Sequence, residues 1–161
     1  KHDGYGCTWG NFSIFRKKKT QMETQIEDIK LKEIFTNSKV IALVGASANK
    51  EKTSHIVMKY LLDFGFEVIP VNPGAAGQEI LGQMTVKNLS EIKKPIDIVD
   101  VFRPSEEAEK VVEEAVNYNP KTIWLQLGIV SKNGDKFAKS IDANYIENSC
   151  IKTEYERIMQ K

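Results

Sequence analysis

Residues 40–47, VIALVGAS, and residues 67–73, EVIPVNP, decide the fold. Val40 to Val44 is an unbroken apolar run closed by Gly45 and Ser47, the pattern of a strand covered on both faces. Between the two stretches, Ile56, Val57, Tyr60, Leu61 and Phe64 recur at helical spacing, with Ser54 placed to cap and Gly65 to stop the helix in the left-handed region. The unit is strand, loop, helix, strand. Its first loop and helix N-terminus turn backbone N–H groups toward the carboxyl ends of the strands, where a phosphate or pyrophosphate can sit. The ligand class this predicts is anionic and nucleotide-like.

Outward from this unit the alternation continues. Ile26, Ile29, Leu31, Ile34 and Phe35 give a leading helix that Thr36-Asn37-Ser38 breaks. After the second strand, residues 72–77, NPGAAG, form a turn-rich loop, and a short helix is expected at Ser90. Residues 96–102, IDIVDVF, read as a third strand in which Asp97 and Asp100 need partners. Ser105 is placed as the N-cap of a helix whose stripe is Ala108, Val111, Val112, Ala115 and Val116. Residues 122–127, TIWLQL, give a fourth strand stopped by Gly128; a helix at 135–140, a short strand at Tyr145 and Ile146, and a closing helix over 152–160 follow. The whole predicts a Rossmann-like, doubly wound α/β fold, a mainly parallel sheet flanked by helices with right-handed crossovers.

Composition narrows the function classes. The chain has 161 residues, 41% of them hydrophobic, enough for a sizeable core. No apolar run approaches the roughly 20 residues of a membrane span. Cys7 and Cys150 lie far apart without metal-ligand spacing, so neither a metal site nor a disulfide framework is expected, and a reducing, cytoplasmic setting is the default. Residues 1–21 carry five basic residues against Asp3 alone, a net +4 that leaves residues 22–161 at −3. A folded body of that charge weighs against nucleic acid as a partner. Residues 1–21 are expected to be a flexible N-terminal extension to a domain at 22–161; if they are a targeting remnant, an organelle becomes the expected destination.

The first loop, Gly45-Ala46-Ser47-Ala48-Asn49-Lys50, lacks the G-x-G-x-x-G series, and the second strand ends in Asn72 where a nicotinamide dinucleotide site presents an acid to the ribose. A P-loop is absent from the sequence. Ser and His meet only as Ser54-His55, which builds no triad, so no catalytic residue is assigned. Cys150 reads as a small apolar residue unless its thiol is exposed and activated, in which case a mixed disulfide with a bound thiol cofactor becomes available.

IALVGAS, the Lys52-Thr53-Ser54 helix entry, VIPVNP, IDIVDVFRP and WLQLG, in this order, resemble the single-domain coenzyme A-binding proteins related to the N-terminal domain of the succinyl-CoA synthetase alpha subunit. The resemblance runs from about Val40 to Glu154. It implies a cofactor, CoA or acyl-CoA, and a site residue by residue. Gly45, Ala46 and Ser47 would line the diphosphate, with Lys52 and Ser54 approaching it from the helix entry. Val71, Asn72 and Pro73 would flank the adenosine, Phe102, Arg103 and Pro104 the cleft wall, and Gln126, Leu127 and Gly128 the next strand end. Where the family commonly has Asp-Arg-Cys near the last strand, this chain has Asn148-Ser149-Cys150. The function implied is non-catalytic CoA or acyl-CoA binding, as a sensor or as an accessory to an acyl-CoA enzyme partner. The alternatives are a nicotinamide-dependent oxidoreductase and an interaction module with a vestigial cleft.

Overall fold

The computed structural model describes residues 12–15 and 18–160. Six strands form one parallel sheet: β1 (Ser13–Ile14), β2 (Val40–Val44), β3 (Glu67–Val71), β6 (Ile98–Val101), β7 (Thr122–Leu125) and β8 (Asn144–Ile146), in the spatial order β1-β8-β7-β6-β2-β3. β2, β6 and β7 are buried along their whole length, which is why their sequences, Asp100 and Thr122 apart, run apolar without alternating. A separate antiparallel hairpin, β4 (Glu79–Ile80) and β5 (Gln83–Met84), follows β3.

Five α-helices flank the sheet. α1 (Gln21–Thr36), α2 (Thr53–Asp63) and α5 (Ile151–Met159) cover one face, where Leu31, Phe35, Leu43, Met58, Leu61 and Trp124 form the core. α3 (Ser105–Ala115) and α4 (Gly134–Ser140) cover the other, over Ala42, Val99, Val112, Ile123 and Tyr145. α1 opens with a capping box in which Thr20 and Glu23 satisfy each other's backbone N–H groups. Two other helices begin earlier than their serines suggest, α2 by two residues and α3 by one: Lys52 and Pro104 hold the N-cap positions, and neither makes a side-chain cap. Ser105 Oγ instead accepts from the Val130 N–H.

Leaving β2, the chain first adds β3 on one side, then returns to add β6 on the other. The crevice above β2 and β6 is therefore the topological switch point at which open α/β sheets bind ligands. The Ser13–Ile14 pair extends the sheet beyond β8, with Ile14 fully buried. Most of the predicted N-terminal extension, residues 1–11 with 16 and 17, lies outside the described residues. No helix among the described residues is long and apolar enough to cross a membrane.

Candidate functional site

The ladder continues past the strand ends and fixes the loops that frame the crevice. Gly45 N–H donates to Val71 O at 2.9 Å, and Phe102 N–H to Val44 O at 2.8 Å. Gly45 adopts φ +95°, and a Cβ there would stand 2.9 Å from the Phe102 carbonyl oxygen. Only glycine fits both the left-handed backbone and that close approach. Ala46 is fully buried, so its contribution is through its backbone.

Beyond it, Ser47 organises the loop into α2. Its Oγ accepts from Asn49 N–H at 3.0 Å, and its carbonyl lies 2.9 Å from His55 Nδ1. Asn49 Oδ1 accepts from Glu51 N–H. The hydrogen bonds that shape the loop thus come from within it and from His55, and no side chain caps α2. Lys52 is exposed at this helix entry, while Ser54 is buried one residue inside the helix. An uncapped helix N-terminus with an adjacent lysine is suited to a phosphate-bearing ligand.

At the end of β3, Asn72 locks the second loop. Its Nδ2 donates to Ala46 O at 2.8 Å, and its Oδ1 accepts from Gly74 N–H at 2.9 Å. The side chain that replaces the dinucleotide-site acid is committed to joining the two loops. Beside it opens a cleft of about 200 Å³ on the α3 side of the sheet, lined by Gly45, Val71, Asn72, Pro73 and Arg103 among the expected residues and by Val44 at the end of β2. Lys87, Asn88, Leu89, Glu107, Val111 and Glu114 complete it. Apolar side chains with a few polar groups suit a flat ring held by its faces. The Arg103 guanidinium pairs with Glu107 one turn into α3, a structural role.

The remaining expected residues separate from this cleft. Phe102 packs toward the α1/α2/α5 core, and Pro104 starts α3. Gln126 is buried, and its Oε1 accepts from Ile151 N–H, so it caps α5. Leu127 is exposed, and Gly128 N–H donates to Asn148 Oδ1 at 2.7 Å. The structure thus brings Gly45, Val71, Asn72, Pro73 and Arg103 together, places Ser47, Lys52 and Ser54 beside them at the α2 entry, and leaves the β7 end apart. Residues 87–89 and the α3 residues Val111 and Glu114 gave no motif. The amphipathic spacing of α3 was the available signal, and it read as core.

The fold is that of a CoA-binding domain: the family model described as CoA binding domain matches residues 39–156, and the chain belongs to that family. A Bacillus subtilis relative called uncharacterized protein YneT is 42% identical over 125 residues, covering 78% of this chain and 91% of that one. A solved structure of a hypothetical protein from Pyrococcus horikoshii superposes with a TM-score of 0.80 at 34% identity, over 89% of this chain and 99% of that one. The acetate–CoA ligase (ADP-forming) I subunit alpha of Pyrococcus furiosus is 30% identical over 121 residues, covering 73% of this chain but only 26% of that subunit. The chain therefore spans about a quarter of that ligase subunit.

Among the described residues, no group of three or more His, Cys, Asp or Glu side chains is arranged to hold a metal ion.

Proposed function

We propose that this chain binds CoA or acyl-CoA without turning it over, in the crevice at the carboxyl ends of β2, β3 and β6. The observation that carries the reading is the convergence, at the switch point, of the Gly45 loop, the uncapped α2 N-terminus with Lys52, and an apolar cleft. The diphosphate would rest on the backbone of residues 45–47 and the first turn of α2, near Lys52 and Ser54. The adenine would lie in the cleft between Val71, Asn72 and Pro73 and the first turns of α3. Similarity to part of an acetate–CoA ligase subunit supports an acyl-CoA enzyme as a partner.

Asn72 argues against the nicotinamide alternative, because its side chain is already bonded to Ala46 O and Gly74 N–H and carries no charge for a ribose. Isothermal calorimetry of the full chain with CoA, NADH and ATP tests the reading. Selective CoA binding is expected, with affinity lost in a Gly45→Asp, Lys52→Ala double variant that retains its fold by circular dichroism. NADH binding in place of CoA, or unchanged CoA affinity in the folded double variant, overturns it.

A further inference from the structure

The cleft beside Asn72 holds two basic side chains in different states. The Arg103 guanidinium pairs with Glu107. Lys87 lines the same cleft, and its ammonium meets no hydrogen-bond or ion-pair partner among the described residues. Asn88 lines it too. Its Oδ1 accepts from the Ser90 N–H at 3.0 Å and from the Ser90 hydroxyl, which leaves Nδ2 a donor without a partner among the described residues. Adjacent residues of one wall thus offer a cation and an amide N–H, a pair suited to an anion.

The backbone that carries this pair is fixed against the sheet. Val86 bridges to Val71 in parallel, its N–H donating to Pro70 O at 3.0 Å and its carbonyl accepting from Asn72 N–H at 2.9 Å. Lys87 N–H donates to Glu91 Oε1 at 2.8 Å, and Leu89 is buried in the core beneath α3. The ends of β2 and β3 and the Val86 segment therefore lie side by side, which sets the Lys87 backbone two strand spacings, roughly 10 Å, from Gly45. A second phosphate on the same ligand, one sugar ring away from a diphosphate at the Gly45 loop, comes within reach of the Lys87 side chain.

We propose that Lys87 and Asn88 form a subsite for the ribose 3′-phosphate of CoA, through which the chain selects 3′-phosphorylated adenine nucleotides over their unphosphorylated counterparts. This rests on the CoA-binding reading and gives its cleft a specificity. Lys87 supplies the charge, as a flexible point cation that can follow the phosphate, and Asn88 Nδ2 supplies a directed N–H from a side chain whose orientation the Ser90 contacts set.

The rest of the cleft is consistent with a phosphate at this wall. Arg103 and Glu107 neutralise each other across one helical turn. Glu114 also lines the cleft, seven residues beyond Glu107 and roughly 10 Å further along α3. A carboxylate repels a phosphate but accepts from the exocyclic amine of an adenine ring, so the two charges assign the phosphate to Lys87 and the edge of the base to Glu114.

Calorimetry of the full chain with CoA and dephospho-CoA, which differ in that one phosphate, reads the subsite directly. Wild type should bind CoA about tenfold more tightly than dephospho-CoA. Lys87→Gln should bring the ratio to within about threefold by loosening CoA alone, and Lys87→Glu should invert the preference. Both changes fall on an exposed side chain and keep the backbone bond to Glu91, so the fold is retained. Asn88→Asp keeps an oxygen for Ser90 while replacing the donor with a charged acceptor, and it too should lower the ratio without lowering the melting temperature. Equal wild-type affinity for the two cofactors, or a Lys87→Gln protein with the wild-type preference, overturns the subsite and leaves the binding reading standing. Failure of wild type to bind either cofactor overturns the binding reading and the subsite with it.

Discussion

Gly45 and Phe102 meet back to back where the chain reverses its direction across the sheet, so a Cβ at position 45 would come within 2.9 Å of the Phe102 carbonyl oxygen and 3.1 Å of its Cβ. The obstacle is backbone at the end of β6, which the ladder bond from Phe102 N–H to Val44 O holds in place. Gly45→Ala therefore adds left-handed strain to a collision that cannot relax by rotating a side chain. A loss of about 2–5 kcal/mol is expected, the sum of roughly 1–2 for the backbone and 1–3 for overpacking. Urea unfolding measures it, and a loss below about 0.5 kcal/mol would show that the two strand exits are not tightly apposed.

Asn72 couples the loops after β2 and β3 through a donor and an acceptor at once. Asn72→Asp keeps the shape and the Gly74 contact but turns the group facing Ala46 O from donor into acceptor. The expected cost is about 1–3 kcal/mol, with CoA affinity falling further because a negative charge now stands beside the loop assigned to the diphosphate. Asn72→Ser should cost about 1 kcal/mol and leave no charge penalty. Thermal melts and calorimetry on both variants separate the two effects. Equal affinity in the Asp and Ser variants would remove the anion from this loop.

Trp124 fills the core beneath the α5 turn with no exposure, and its indole N–H reaches Ser149 O. Trp124→Phe leaves that carbonyl without its donor and a space where the larger ring stood. The expected loss is about 2–4 kcal/mol, from the lost bond and the incompletely filled site together. Hydrogen exchange should show it first at the start of α5. A variant as stable as wild type would show that the turn is held by the Gln126 cap alone.

Much of this architecture was legible in the sequence because the parallel strands are buried on both faces. Val40–Val44 stands out as an unbroken apolar run, Ile98–Val101 as one interrupted only by Asp100 and Thr122–Leu125 as one led by Thr122, and the helices between them show their stripes. The hairpin at Glu79–Ile80 and Gln83–Met84 was missed because two-residue strands are too short to alternate. Its turn also places Leu81, a residue with no turn preference, at φ 51° before Gly82 at 79°. Ser13–Ile14 was hidden for another reason: its pairing with β8 is remote in sequence and covers two residues. In the site, the strand-end motifs located the crevice, but residue type alone could not tell a ligand contact from a structural bond. Asn72, Arg103 and Gln126 all proved to be bonded within the protein, and the α3 wall of the cleft came from residues whose spacing reads equally well as core.

Asp97 and Asp100, three residues apart on and beside β6, respond to pH in opposite senses. Burial pushes Asp97 upward, but the Val40 and Lys39 N–H groups, both donating to Oδ2, and the Lys121 ammonium outweigh it and leave the group below its ordinary value. Its contribution is in place above about pH 4, the unfolded carboxylate value, and is lost as pH falls through the lower folded one. Asp97→Asn should therefore cost roughly 1–2 kcal/mol at neutral pH, with the difference from wild type closing on acidification. Asp100 lies above its ordinary value in the folded chain, so the folded state keeps a proton that the unfolded state releases above about pH 4. Stability drains as pH rises through that window, until folded Asp100 itself ionises. Asp100→Asn removes the drain, and the variant should be more stable than wild type at neutral pH and converge on it below about pH 4. Urea unfolding of the three proteins from about pH 3 to 8 checks both signs at once. An Asp100→Asn protein less stable than wild type at pH 7 would mean that the carboxylate is paired in the folded chain.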